Sequence, residues 1–532
     1  MNNLLKFLSV FCLVPLPAFA APLSFTVNMS EAVTVDTSGG TPRIAVDVGG
    51  VTRYAGYTSG SGSSALTFNY TPQAGDVDLD GVSLTSPLDL NGGTVTDLNG
   101  NAISNLTFTP PNTANVKVNY PSLGMDFVYD ADGRYTLNGT AYNDLSSFLT
   151  AAGGSFTRNS IATYYDAAGT LQTASANTPR FDHDPVTHAP KGILIEESRT
   201  NIGLQSSNFS NASWLVVRAS IVSNAAMAPD GTNTASKLVE DTTVNNTHYV
   251  RYPNDSNLVS GNIYTFSVFV KAAERSTVAL IHYGVAGTEA TFNLQTGVIT
   301  GSNYAVSGTK IQNIGGGWYR ISMTHVYAGA GLSFGVFIAQ TNGTTAYTGD
   351  GTSGIYIWGA QLEQGSFPTS YIPTTNAAVT RAADSLTMPT GAWYDQNAGA
   401  VFADVSWESV FGPISWPLLW QFSDGTSNNR WNLYYYQGGG NLGVDAFTGG
   451  VSQGGFNNPV SASGSIRSGA AQSLNNANAS YNGVLKTLDT SWAPPPVNQL
   501  RLGAGTSTRK WISKFKYYPA RVADTQLQLL TQ

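Results

Sequence analysis

Short runs in which apolar and polar residues alternate, each cut off by glycine, asparagine or aspartate, recur along nearly the whole chain. In "NIYTFSVFVKA", Tyr264, Phe266, Val268 and Val270 fall at every second position, opposite Thr265, Ser267 and Lys271. In "ALTFNYT", Leu66, Phe68 and Tyr70 do the same against Thr67 and Asn69. Side chains of an extended strand point alternately to two faces, so this period of two predicts half-buried strands of packed sheets. The 56 glycines supply the tight turns that so many short strands need. With 532 residues, one core is too few. The expected fold class is all-β: tandem β-sandwiches with a small mixed connector.

Residues 1–20 read as an export signal. Lys6 gives a positive start, "LLKFLSVFCLVPL" is an apolar core too short to span a bilayer, and "AFA" at 18–20 is a small-residue cleavage site. Cys12, the single cysteine, lies inside that leader, with Phe11 where a lipoprotein signal needs a small residue. The exported form, expected from Ala21, therefore has no disulfide, thiol nucleophile or cysteine metal site. Charged residues make up 11% of the chain, against about 25% in an average protein. With a net charge of -7, this argues against nucleic acid and anionic lipid as partners, and membrane insertion is not expected. The expected location is outside the cell, secreted or on a bacterial surface.

Four segments follow the leader. Residues 21–115 are short strands with turn signals, and "NMSEAVTVD", "YTSGSGSSALTFNYTPQAGDVDLDGVSL" and "LNGGTVTDLNGNA" resemble the Ig-like repeat of large bacterial surface adhesins. Pro110 and Pro111 mark a linker. Residues 116–205 are expected to form a connector. Within it "NDLSSFLTAAGG" predicts a helix capped by Asn143 or Asp144, with Leu145, Phe148 and Leu149 on one face and Gly153 as the stop. The string "RNSIATYYDAAGTLQTASANTPRFDHDPVTHAPKGILIEESRTN" is similar to a connector of phage tail-fibre and head-spike-like proteins and related secreted bacterial proteins. Residues 206–375, with "SNFSNASWLV", "GGGWYRISMTH" and "GIYIWGAQLEQGSFPTSYIPT", resemble a carbohydrate-binding-module-like jelly roll. Residues 376–532 end in "KWISKFKYYPARVADTQLQLLTQ", which looks like the close of a laminin-G or concanavalin A-like sandwich: a strand through Ile512 and Phe515, a Pro519 turn and a helix capped near Asp524.

The most charged stretch, "RFDHDPVTHAPKGILIEESRTN" at 180–201, admits two accounts. As an active site, Glu196 or Glu197 would be a general acid with Asp182 or His183 as partner. As architecture, Arg180 and Arg199 pair with these acids and pin the connector between sandwiches, which is the account preferred. On a strand, Glu196 and Glu197 point to opposite faces. Asp76, Asp78 and Asp80 in "DVDLDG" alternate before Gly81, a spacing that suits a structural calcium, with Asp97, Asn99 and Asn101 as further oxygen ligands. Pro87 stands where an EF-hand needs glutamate.

Sugar rings lie on aromatic faces while amides and carboxylates bond their hydroxyls. The candidate platforms are Trp214, Tyr249, Tyr252 and Tyr283 in the jelly roll, and Trp431, Tyr434 and Tyr436, near Asn432 and Asp445, in the last sandwich. Trp318 and Trp358 are expected in cores. No HExxH, GxSxG or P-loop string occurs, nor the ExDxE, QIH or RxExR strings of glycoside hydrolases and alginate lyases on concanavalin-like folds. The resemblances and the aromatic set point to an exported protein that binds a polysaccharide or cell-surface glycan. A depolymerase (lyase or glycoside hydrolase), with Asp445 among its acids, and a structural fibre or adhesin component are the alternatives, and oligomerisation is left open.

Overall fold

The computed structural model describes residues 6–7, 21–128, 134–253, 258–283, 289–302, 307–327, 329, 333–408, 417–436, 440–461, 463–503 and 509–532. The expected leader, apart from residues 6–7, lies outside the described residues. The fold is nearly all β, in antiparallel sheets that pack as sandwiches. No described helix is long and apolar enough to cross a membrane.

The N-terminal domain is built on β1 (Leu23–Asp36), β2 (Arg43–Val48), β3 (Val51–Ser59), β4 (Ser63–Tyr70), β5 (Ser83–Asp89) and β6 (Thr94–Asp97). The first half of β1 pairs with β4 and its second half with β6, so one long strand serves two pairings. Leu66, Phe68 and Tyr70 of β4 are buried together in this domain's core, as their alternation requires.

The segment expected as a connector module gives strands and a helix to the terminal sandwich. Its β7 (Leu123–Asp126), α1 (Leu145–Ala152), β8 (Ser155–Thr157), β9 (Phe181–His183) and β10 (Pro190–Glu196) supply strands and core residues to that domain. The rest of the sandwich comes from β11 (Ser385–Pro389), β12 (Ala398–Glu408), β13 (Leu418–Ser423), β14 (Arg430–Tyr436), β15 (Asn441–Thr448), β16 (Val451–Pro459), β17 (Gly464–Ser473), β18 (Asn476–Tyr481), β19 (Gln499–Leu502), β20 (Arg509–Tyr518) and α2 (Asp524–Leu530). β7 and β10 lie end to end along one edge of β20, against Lys514–Tyr517 and Arg509–Ile512, while β12 takes the other edge. The facing sheet runs β8-β11-β19-β13-β14-β15-β16. Strand pairing over more than 300 residues leaves no local signal, which is why alternation alone divides the chain differently.

The jelly roll is thus inserted in the terminal sandwich, and its entry and exit strands, Arg199–Asn201 and Val379–Arg381, pair antiparallel. Its core holds Tyr264, Phe266, Val268 and Val270 from the central strand Ile263–Ala272. The opposite, polar face of that strand is also buried: Thr265 and Ser267 are each 0% exposed. Phe269 on the same side packs with Tyr165, Leu171, Trp318, Trp358 and Tyr371. This sheet therefore lies against the segment around Tyr165, which fills its second face.

α1 starts and stops as its residues dictate. The Asp144 carboxylate accepts the Ser147 amide at 2.8 Å, and Gly153 closes the helix at φ 68. α2 differs from expectation: Ala523 is its N-cap and makes no side-chain bond, while Asp524 sits in the first turn and accepts from Asn478 at 2.9 Å. Because Leu145, Phe148 and Leu149 reach the terminal core, Asp144→Ala is expected to lower the stability of the terminal sandwich by about 1 kcal/mol. Urea unfolding followed by tryptophan fluorescence measures it.

Candidate functional site

The charged stretch forms a buried ion-pair network. Glu196 (1% exposed) accepts from Arg180 Nη1 at 2.8 Å, the Ser370 amide at 2.9 Å and the Ser370 hydroxyl at 2.6 Å. Arg509 and Arg381 lie at 3.3 and 3.5 Å from its carboxylate. Asp384 joins Arg180 at 2.5 Å and Arg158 at 3.0 Å. Burial alone would raise the Glu196 pKa, but the guanidiniums of Arg381, Arg180 and Arg509 outweigh it and hold the carboxyl far below the usual range. Glu197 pairs with Arg199, whose Nε donates at 2.6 Å. Asp182 is buried as acceptor for the Tyr165 amide and the Trp511 indole, each at 2.7 Å. His183 ends β9, half-buried. Buried, with both carboxylate oxygens engaged, Glu196 is placed as an ion-pair partner, as the architectural account of this stretch expects. Arg158, Arg381, Asp384 and Arg509 were not read as members of the network, since they lie up to 329 residues from Arg180 in sequence.

Of the run Asp76, Asp78 and Asp80, the first two brace the N-terminal domain and the third reaches the terminal sandwich. Asp76 accepts from Arg53 at 2.8 Å, from the Gln73 amide at 2.7 Å and from the Tyr70 hydroxyl. Asp78 accepts the Gly49 and Gly81 amides at 2.8 and 2.7 Å. Asp80 takes Gln526 Nε2 of α2 at 2.6 Å, and Gln526 Oε1 accepts the Leu79 amide at 2.7 Å. As arranged, the three carboxylates do not converge on a cation position, and among the described residues no group of three or more acids or histidines is placed to hold a metal. Asp97, Asn99 and Asn101 close a separate turn, the Asp97 carboxylate accepting both asparagine amides at 2.8 Å.

Of the aromatic candidates in the jelly roll, Trp214 and Tyr252 are core residues: Trp214 is 5% exposed and packs on Phe209 and Tyr252. Tyr249 lies on the other face of the sheet but is covered, stacked on Phe337 at 4.2 Å. Tyr283 ends the strand Thr277–Tyr283, and its side chain lies outside the described residues. In the terminal sandwich Trp431 is 1% exposed, packed on Trp420 and Phe422. These burials remove Trp214, Tyr252 and Trp431 as sugar platforms.

Tyr434 and Asp445 meet in an open groove of about 710 Å³ on the outer face of the sheet β13-β14-β15-β16. Strand alternation builds it. Along β14, Trp431, Leu433 and Tyr435 enter the core, so Arg430, Asn432 and Tyr434 face out. Register then sets Arg430 opposite Phe447, Asn432 opposite Asp445 and Tyr434 opposite Gly443. The Arg430 guanidinium lies 3.8 Å over the Phe447 ring. Asn432 Nδ2 donates to the Asp445 carboxylate, and Gln421 Nε2 reaches Asn432 Oδ1 at 3.5 Å. Gly443 leaves room for this pose: a Cβ there would stand 2.8 Å from Asn457 Oδ1 and 2.9 Å from Tyr434 Cζ, so the missing side chain lets the ring lie on the sheet. Gly455 opposite Asp445 leaves the carboxylate reachable. Burial raises the Asp445 pKa to about 6, and Arg430 and Asn432 only partly oppose it. Tyr436 faces the same side, half-buried, beyond the groove's lining. Gln421, Arg430 and Phe447 were missed, although alternation from Asn432 points to Arg430.

No family model and no curated protein matches the sequence. Among solved structures, similar chains include mouse laminin alpha1 domains LG4-5 (10% identity, TM-score 0.16, covering 50% of this chain and 85% of that one). Others are the CBM22-1-CBM22-2 tandem domain from Paenibacillus barcinonensis (6% identity, TM-score 0.20, 61% and 97%) and the Trypanosoma rangeli sialidase (10% identity, TM-score 0.23, 95% and 94%). Scores of this size transfer no residue role.

Two stability measurements follow. Glu196→Gln leaves buried guanidiniums short of counter-charge and is expected to cost about 3–5 kcal/mol in urea unfolding; an unchanged midpoint would contradict the architectural account. For Asp445, raised from 3.8 to about 6, the folded state keeps a proton that the unfolded chain releases. Stability is therefore full below pH 3.8 and falls as pH rises towards about 6. Asp445→Asn should abolish that fall and exceed the parent at pH 7 by at most about 3 kcal/mol, less where water screens the carboxyl.

Proposed function

We propose that the protein is exported and binds a polysaccharide through the β13–β16 groove. The observation that carries this is the Tyr434 ring lying over Gly443 beside a row of polar groups, Gln421, Asn432 and Asp445, in a groove open to solvent. An aromatic face accepts the CH side of a sugar ring, and amides with a carboxylate bond its hydroxyls. The N-terminal Ig-like domain then acts as a spacer, latched to the terminal sandwich through Gln526. Adhesion at a cell surface is the role that this arrangement of modules suits, with the resemblance to adhesin repeats in its favour.

A depolymerase has one feature on its side, the largely buried Asp445 carboxyl, which burial pushes up to about 6, a value that suits a general acid. Hydrolysis through two carboxylates needs a second acid, and among the described residues Asp445 is the only carboxylate lining the groove. Light scattering after size-exclusion chromatography, on mixtures with a panel of bacterial and algal polysaccharides, separates the two. Co-elution with a polymer of unchanged mass supports binding; collapse of the polymer's mass supports cleavage. Tyr434→Ala is expected to weaken binding at least tenfold while leaving the unfolding midpoint in place. Trp431→Ala should instead destabilise the domain by about 3–5 kcal/mol.

A further inference from the structure

A second cleft, of about 440 Å³, lies where the jelly roll meets the terminal sandwich. The jelly roll contributes Lys310 and Arg320 from the adjacent strands Ser307–Gly315 and Trp318–Val326, together with Ser322. The sandwich contributes Glu408 at the end of β12 and Arg509 at the start of β20.

The charges do not balance. Arg509 is paired, with Glu408 at 3.1 Å and Glu196 at 3.3 Å. Arg320 is 6% exposed and donates to the Thr369 carbonyl at 2.6 Å and the Ser267 hydroxyl at 3.0 Å, both neutral. Among the described residues no carboxylate makes an ion pair with Arg320 or with Lys310: Glu408 is already engaged by Arg509, and Glu363, which acts on Arg320 from the buried side, is held by Gln361 and Thr369. Hydrogen-bonding capacity is unused as well: Arg320 Nε and the hydroxyl of Ser322 (1% exposed) are buried with no partner. Burial also lowers the Lys310 pKa, the mark of an ammonium without enough counter-charge. A buried cation left unpaired is costly, and a mobile anion entering from solvent removes that cost. The volume lies within the roughly 300–1,000 Å³ of small-molecule sites.

We infer that this interdomain cleft binds the oxyanion of an acidic saccharide, a uronate carboxylate or a sulfate ester, between Lys310, Arg320 and Ser322. The site is separate from the Tyr434 groove and takes a different ligand feature, charge in place of a ring face. It would let one protein grip an acidic polymer at two points.

Calorimetric titration of the full-length protein with tetragalacturonate, sodium sulfate and the neutral cellotetraose tests this. Saturable binding of tetragalacturonate is expected, weakened tenfold or more by Lys310→Met. Lys310 is half-buried and methionine keeps its aliphatic stem, so the fold should survive. Glu408→Gln removes the competing carboxylate and should tighten binding at least threefold, a gain that misfolding cannot mimic. The inference is overturned if wild-type protein binds neither anion, if Lys310→Met binds as wild type does, or if cellotetraose binding shows the same dependence on Lys310. Binding of sulfate alone, without tetragalacturonate, overturns the saccharide assignment.

Discussion

Glu196 and Asp384, two carboxylates shut away from water among Arg158, Arg180, Arg381 and Arg509, are the constraint on which the remaining structure depends. Each buried ion costs several kcal/mol to desolvate, and only a full set of partners at short range offsets that. The partners come from positions 158, 180, 196, 370, 381, 384 and 509, so no one stretch can satisfy the set. The network closes only when the jelly roll's exit strand, the segment 116–205 and β20 are all in place. Its contribution is to where the modules sit more than to how firmly each one folds.

That arrangement explains why the jelly roll buries two faces. Thr265, Ser267 and Arg320 stand on the side that alternation marks as outward in an isolated sandwich, yet they are covered by the segment around Tyr165 and Ser370. A polar face turned inward must be satisfied by polar partners. Most of it is, through Thr369, Ser370 and Glu363. Where the two domains diverge, Arg320 and Lys310 are left facing a cleft. The terminal sandwich, in contrast, keeps the outer face of β13–β16 clear, and the groove occupies it.

The local features were legible. Leu66, Phe68 and Tyr70 share a core, α1 begins at Asp144 and ends at Gly153, and Glu196 pairs with Arg180, because each depends on residues near in sequence or on charge. Tyr434, Asn432 and Asp445 were selected by residue type, and cross-strand register joins them. Trp431 was selected with them in error: on a strand it cannot share a face with Asn432, and the same period of two that located the strand assigns it to the core. The partners of Asp76, Asp78 and Asp80 could not be read from their spacing: Arg53, two glycine amides and Gln526 reach those oxygens from elsewhere in the chain. The nesting of one domain inside another was illegible, since pairs such as Leu123 with Tyr517 and Ile193 with Ile512 have no sequence signature.

The central claim is that the terminal groove is where glycan is held. Hydrogen–deuterium exchange on the full-length protein, with and without a polysaccharide that co-elutes with it, tests that claim without altering a residue. The account predicts slowed exchange concentrated in Arg430–Tyr436 and Asn441–Thr448, with the core strand Ile263–Ala272 unchanged. Slowed exchange confined to the outer jelly-roll strands, with β14 and β15 unaffected, would contradict it and move the binding surface to the inserted domain.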